Sequence, residues 1–326
     1  MTSRPRQAGA ALLMAMIVVT LVASLAGAAL WQQWRGVEVE AAERARVQSS
    51  WILTGALDWG RLILAGDARE SGSTPIDHLA EPWAMPLAEA RLSTFLAVGE
   101  SDTDTDRDAF LSGQITDLQS RLNVMNLLVS DSIRAYQSFE RLFRELGLRT
   151  GELATLRDNL ARAAAAMKRG NTGAPADAGD APLLPRRFDQ LAWLGVAPET
   201  LETLRPYVTV LPVSNAIVPV NLNTASALVI YAVLPEIDLA GAQRLVAERD
   251  RSPFKNTAEV NTLLNLNARD LSWVSVASDY FEIRGRLRLD DVALEEVAVV
   301  RRQQTGLRYG SVTLWRETGC CAQVVQ

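Results

Sequence analysis

The chain predicts an α+β fold: a long N-terminal helix packed on an antiparallel sheet, with a large α-helical domain inserted into that sheet. Three observations carry this. No proline interrupts the sequence between Pro5 and Pro75, and apolar residues recur there at helical spacing. Phe281, Ile283, Leu287 and Leu289 alternate with Glu282, Arg284, Arg286 and Arg288, the period-two pattern of a half-buried strand. Between these regions, residues 127–276 are mainly helical in pattern, so the sheet must be left and re-entered.

The long helix comes first. Arg4 and Arg6 precede an uncharged stretch, 7–34, whose centre (10–30) has only Thr20, Ser24 and Gly27 as non-hydrophobic residues. That length crosses a hydrocarbon core of about 30 Å. The arginines lie on its N-terminal side, so a single pass is expected, with the start in the cytoplasm and the bulk outside. Three readings compete. One is a secretory signal cut at the small-residue triplet Ala26-Gly27-Ala28, the second a plain anchor, the third a leader cut between Gly9 and Ala10. The third is favoured, because a short basic leader ends in glycine directly ahead of the apolar run. The helical pattern also continues beyond the membrane stretch through Ala45, Ile52, Ala56, Trp59 and Ile63. A helix of roughly 55 residues is about 80 Å long.

Residues 66–75, rich in glycine, serine and charge, break that helix. Next comes a proline-limited segment, Asp77-His78-Leu79-Ala80-Glu81-Pro82-Trp83-Ala84-Met85-Pro86, in which Trp83 reads as a packing anchor. Strands are expected at 91–98 and 113–123, the second followed by asparagines suited to side-chain-to-backbone bonding. The Asp/Thr alternation at 102–108 reads as a solvated hairpin tip. Arg107 and Gly113 stand where a calcium-binding EF-hand loop needs glycine and glutamate.

Helices are expected at 130–146, with Ile133, Tyr136, Phe139, Leu142, Phe143 and Leu146 as a core stripe, and at 152–167. A Gly/Ala/Pro/Asp-rich loop, 169–185, separates these from a short helix at 198–207. Asn221-Leu222-Asn223-Thr224-Ala225-Ser226-Ala227 opens another helix, with Asn223 or Thr224 as its cap. A second helix to Arg249 and a capped third from Thr257 complete a helix-hairpin-helix pattern. The chain then returns to β, with strands near 281–289, 292–300 and 307–317. Adjacent Cys320 and Cys321 fall in the expected tail, the alternative being a vicinal or intermolecular disulfide.

Composition narrows the function. Hydrophobic residues make up 48% and charged residues 22% of the 326, enough for a packed core. The net charge of −5 argues against a general nucleic-acid binder. With one histidine, His78, no His cluster can form, and the chain shows no GxSxG, phosphate-loop or HExxH pattern, so it is read as a non-enzyme.

Four of these features together resemble the K-type minor pseudopilins of type II secretion systems. They are the Gly9-Ala10 leader junction, Met14, the 77–86 segment and the Asn221-to-Ser226 region. The stretch 114–127, beginning Gln114-Ile115-Thr116-Asp117, is similar to a further family pattern, with Ser120 in place of a glycine. The resemblance implies cleavage between Gly9 and Ala10 by a prepilin peptidase, with methylation of the new amino terminus. Most pilins carry glutamate at the fifth mature position; here Met14 stands there, as in the K-type subunits. A carboxylate with no partner above it would be costly to bury, and methionine avoids that cost.

The same resemblance implies a position at the tip of a periplasmic pseudopilus. I- and J-type minor pseudopilins and other secretion components are the implied partners, and initiation of the filament for protein export across the outer membrane is the implied role. Domain limits of 1–9 (leader), 10–34 (transmembrane), 35–126 (amphipathic helix and first strands), 127–276 (inserted helical domain) and 277–326 (last strands and tail) follow. His78, Pro82, Trp83, Asn221, Asn223 and Thr224 are expected to serve structure. Relatives carry an acidic calcium-associated loop near 169–185; of it only Asp177 and Asp180 remain, so Ca2+ is the one candidate cofactor, without a named ligand set.

A rival reading is a membrane-anchored periplasmic DNA-binding protein of the competence type, built on the helix-hairpin-helix. Nucleic-acid-binding hairpins use glycines in the turn so that backbone N–H groups approach a phosphate. Glu236 and Asp238 occupy those positions here, which favours a structural hairpin and no nucleic-acid partner.

Overall fold

The computed structural model describes residues 8–70, 75–91, 109–129, 132–171, 181–213, 216–264, 271–289, 292–305 and 308–320. The chain divides into two compact units, Met1–Gly55 and Ala56–Gln326. One helix, α1 (Ala8–Glu70), runs through the first and into the second. It is the one described helix long and apolar enough to cross a membrane, with mean hydropathy 2.4 over its most apolar window. Over residues 10–44 its apolar side chains, Met14 among them, are exposed. Trp31 and Trp34 close the apolar stretch, and the Arg35 guanidinium lies 5.6 Å from the Trp31 ring, an amphipathic pairing suited to a membrane boundary.

In the second unit a five-stranded antiparallel sheet has the order β1-β2-β7-β8-β9. Its strands are β1 (Leu87–Arg91), β2 (Ala109–Asp117), β7 (Tyr280–Leu289), β8 (Val292–Thr305) and β9 (Arg308–Cys320). The expected alternation is present: Phe281, Ile283 and Leu287 are buried. Two expectations shift. The strand placed at 113–123 begins at Ala109 and ends at Asp117, whose side chain accepts from Gln119 N and turns the chain into a 3-10 turn. Cys320 belongs to β9, paired with Leu294, and not to a tail. Residues 92–98, the acidic 102–108 stretch, Asp177, Asp180 and Cys321 lie outside the described residues.

The last turns of α1 lie on one face of the sheet. Leu57 and Leu64 pack there with Trp83, Ile115, Phe281, Ile283, Ala298 and Val300. The sequence placed the apolar stripe on Ala56, Trp59 and Ile63; the buried line is instead Leu57, Gly60, Leu64 and Ala68, one residue further round. Gly60 explains the offset. A methyl group there would meet Ile283 Cγ2 at 3.0 Å, so the helix touches the sheet where it has no side chain. Trp59 is half-exposed on the rim.

Between β2 and β7 lies the helical insertion: α2 (Ser132–Glu145), α3 (Thr150–Asn171), α4 (Pro198–Leu204), α5 (Ala227–Val233), α6 (Leu239–Arg251) and α7 (Thr257–Leu263). Phe139, Leu142, Phe143, Leu156, Leu160, Leu194, Val229, Ile230, Leu245 and Trp273 are among the residues of its own apolar core. The predicted stripe on α2 holds except at Ile133, which is 73% exposed at the start of the helix. Two short parallel pairs bind the insertion to the sheet's exit: β3 (Leu122–Asn123) with β4 (Val208–Thr209), and β5 (Val220–Asn221) with β6 (Val274–Ser275). The segment between β4 and β5 covers the other face of the sheet, with Leu211 and Val218 against Leu118, Tyr280 and Val299.

Candidate functional site

The residues singled out from sequence converge on the root of the insertion, where β2 ends and β7 begins. Asp77 is fully buried. Its N–H donates to Val276 O at 2.9 Å, fixing the 77–86 segment to the strand that leads into β7. Its carboxylate accepts from Arg302 Nη2 at 2.7 and 2.6 Å and from Ser278 N at 2.7 Å. Arg302, on β8, also reaches Asp67 of α1 at 3.0 Å and donates to Ser278 O. One guanidinium therefore joins the long helix, the 77–86 segment and the sheet.

Asp117 forms the second centre, at the end of β2. It accepts from Gln119 N, Thr224 Oγ1, Ser278 Oγ and Asn221 Nδ2. Asn221 Nδ2 lies within bonding distance of Asp77 O and Ser278 Oγ as well, which links the two centres. Thr224, expected as a helix cap, instead bonds Asp117 across the root. Asn223 is also diverted: its amide clamps the Phe254 peptide by one donated and one accepted bond, both 2.9 Å. Ser226 caps α5, accepting from Val229 N. Asn123 and Asn126 make the same two-way clamp on Leu211 and Val218, and Gln119 holds Pro219 O and Asp279 N. These amides act as substitute strands for a segment that has none.

The 77–86 segment is braced within itself. Glu81 accepts from His78 N at 3.1 Å and from Trp83 Nε1 at 2.5 Å. Pro82 begins the 3-10 turn Pro82–Ala84, where its fixed φ suits the first position. The turn drops Trp83 edge-on to Phe281, with centroids 5.2 Å apart. His78 Nδ1 accepts from Ala80 N, and its Nε2 lies 3.5 Å from Glu81.

Burial governs the electrostatics. It pushes Asp67 up to about 6, with the Glu81 and Asp77 charges adding to the rise and Arg302 opposing it. It pushes Asp117 up to about 6 as well, against the bonds from Ser278, Thr224 and Gln119. Glu81 and Asp279 are raised, again mainly by burial. Arg302 is raised: burial opposes its charge, but Asp77 and then Asp67 outweigh it. Oxygens of Asp67, Asp77 and Glu81 lie within 4.8 Å of one another, and the Arg302 guanidinium bonds Asp67 and Asp77. The arrangement is an anchoring knot, with its polar groups engaged on each other.

In the hairpin, α5 and α6 meet through a turn at 234–238. Arg141 of α2 donates to the carbonyls of Tyr231, Leu234, Pro235 and Ile237 at 2.8–3.3 Å, and its guanidinium lies 4.0 Å from the Tyr231 ring. Asp238 takes the Gly241 N–H at 2.8 Å, and Glu236 is exposed. The amide that a phosphate would meet is thus already capped by a carboxylate.

Two family profiles, both described as "Type II secretion system (T2SS), protein K", match residues 120–213 and 220–284. The chain belongs to the type II secretion system protein K family. Members are minor pseudopilins of a protein secretion machine, and this role applies to the chain. Type II secretion system protein K of Pseudomonas aeruginosa is 26% identical over 322 residues, covering 93% of this chain and 91% of its own. A chain of the crystal structure of the GspK-GspI-GspJ complex from enterotoxigenic Escherichia coli shares the fold, with TM-score 0.62 and 16% identity, over 85% of this chain and 98% of its own. The profile matches contain Asn123, Asn126, Asn221, Asn223, Thr224 and Ser278, so the clamps and half of the knot lie in family-matched sequence.

Arg302 and Asp67 were missed by sequence reasoning. A signal for Arg302 existed: Ala298, Val300 and Arg302 share the inward phase of β8, and an arginine in that phase requires a buried partner.

Proposed function

We propose that the chain sits at the tip of a periplasmic pseudopilus, where it joins I- and J-type minor pseudopilins, helps initiate the filament and so serves protein export across the outer membrane. The observation that carries this reading is the helical insertion. It enters and leaves between neighbouring strands of a helix-on-sheet scaffold and is tied down at that root by buried polar bonds. Such bulk would collide with neighbours inside a tightly wound filament and is tolerated at its end. A related protein K is named in a complex with GspI and GspJ, which supports the choice of partners.

In this reading α1 is a single inner-membrane anchor with its start in the cytoplasm, and a prepilin peptidase cuts between Gly9 and Ala10. Met14 then stands where a filament-interior subunit would carry glutamate, consistent with a subunit that has no neighbour above it. The root residues Asp77, Trp83, Asn221, Asn223 and Thr224 position the insertion and do no chemistry. Nucleic acid is not a partner, because Asp238 and Glu236 occupy the hairpin turn.

Co-expression with I- and J-type pseudopilins tests the assignment. A stable three-chain complex, and loss of secretion when Met14 is replaced by glutamate, are the expected results. Failure to associate, or tight salt-dependent DNA binding by the chain, would overturn it. Mass spectrometry of the mature protein should give an N-terminus at Ala10.

A further inference from the structure

The sheet has two edges, and they are built differently. At one, β1 is five residues long, its pairing with β2 shifts between Leu87 and Ala90, and it carries Glu89 and Arg91. Short length, an irregular ladder and charge guard a sheet edge against further strands. At the other, β9 is thirteen residues long, about 40 Å of strand, with no proline and no lysine. Its one irregularity is a register shift where Val299 and Val300 face Trp315 and Thr313, and Val312 and Leu314 are exposed beside it.

The ladder decides which backbone groups of β9 are open. Arg302 N donates to Asp279 O, at the start of β7. Bonding direction alternates along a strand, so even-numbered residues of β8 turn to β7 and odd-numbered ones to β9. The β9 residues opposite even-numbered partners therefore aim their N–H and C=O groups away from the sheet. They include Ser311 opposite Arg302, Thr313 opposite Val300, Arg316 opposite Ala298 and Thr318 opposite Glu296. Ser311 fits this phase: its outward O accepts from Arg61 Nη2 of α1 at 2.7 Å, and its Oγ from Arg61 Nε at 2.9 Å. Here α1 covers the near end of the edge. Among the described residues, no such cover reaches the outward backbone of Thr313 or Thr318. Trp315 and Glu317, in the other phase, are held from one face of the sheet by Arg187.

We propose that β9 is a docking edge: a minor pseudopilin partner lays an extended strand alongside residues 315–319 and bonds the backbone groups that point away from β8. A row of main-chain donors and acceptors is matched by another extended backbone, and side chains beside it set the choice of strand. Exposed Val312 and Leu314 call for apolar residues at the adjoining end of that strand. A second copy of this chain fits less well. Self-pairing about a two-fold axis centred on Arg316 or Glu317 sets like charges directly opposite each other. The solved chain that shares this fold is named in a complex with GspI and GspJ. The inference rests on the reading above, that this chain joins such partners, and assigns the surface it uses.

The full chain, co-expressed with the I-type partner, the J-type partner or both and purified in detergent, tests the edge. Thr318→Pro removes an outward N–H and leaves the β8 ladder intact, because proline is tolerated on the open side of an edge strand. It should reduce co-purification at least about tenfold, while Thr318→Val keeps it. Hydrogen exchange in the parent gives a second readout: the Thr318 amide should slow on complex formation, which docking by side chains elsewhere would not cause. Should Thr318→Pro fail to fold, that amide decides alone. A parent complex with the Thr318 amide unchanged, or a folded Thr318→Pro protein bound as tightly as the parent, sinks the inference and leaves the function reading standing. Self-association of the parent that Thr318→Pro abolishes sinks it too, since the occupant is then a second copy. A parent that binds neither partner overturns the function reading itself, and the docking edge with it.

Discussion

The α1–sheet layer and the root of the insertion solve the same problem, joining two elements firmly, by opposite means. Against the sheet, α1 uses Leu57, Leu64 and the bare backbone at Gly60, an apolar contact in which closeness supplies dispersion and water exclusion. At the root, the chain relies on Arg302, Asp77, Asp117 and a set of two-way amide clamps. Apolar packing is tolerant of direction, so it suits a helix laid along a sheet. Buried polar bonds fix one arrangement and penalise every other, which suits a domain that must be held at a single angle. The difference teaches that stability and orientation are divided between the two regions.

The sharpest way to break this contrast is Arg302→Met. Removing the guanidinium leaves Asp77 fully buried without that cation and takes one bond from the partly buried Asp67, and a loss of about 3–5 kcal/mol is expected in urea unfolding of the full chain. Combining it with Asp67→Asn and Asp77→Asn should return part of that loss; no recovery would mean that packing, not charge, dominates the root.

Asn126→Ala removes both bonds to Val218 and strands a buried N–H and C=O, for about 2–3 kcal/mol by the same measurement. Gly60→Ala tests the other side of the comparison. The added methyl presses on Ile283, and about 1–3 kcal/mol of overpacking is expected, whereas a neutral result would show that α1 rides above the sheet. Smallest is Ser226→Ala, the loss of one helix cap, at about 1 kcal/mol in thermal melting, with Thr224→Ala expected to cost more because it bares Asp117.

Much of the fold was legible because period is a local property. The long helix, the alternating strand at 280–289 and the helical middle were each visible in a short window of residues. The third helix of the hairpin pattern begins at Thr257, as read, and the structure supplies Asn256 as its cap. What failed was everything set by distant partners. The asparagines after β2 were read as bonding the local backbone, and Asn123 does accept from Met125 N, yet Asn123 and Asn126 also hold residues 88 and 92 positions away. Thr224 and Asn223 looked like caps because their chemistry suits one, until Asp117 and the Phe254 peptide claimed them. The stripe on α1 was read one residue off because a glycine carries no hydrophobic weight, although its absence of side chain is what the sheet selects. Ile133 has the right period and still faces outward, 73% exposed in the first turn of α2.

The insertion leaves and rejoins the scaffold through one doorway: Asp117 and Ser278, 161 residues apart in sequence, are in direct hydrogen bond. Strands β2 and β7 are partners along their whole length, so neither can find the other while the intervening chain is loose. An order in time is therefore expected: the helices between them condense on their own core and deliver two adjacent ends before the sheet zips. Pulse-labelled amides of α2 and α5 should become protected before those of β7, and the reverse order would show that the scaffold assembles around an unfolded loop.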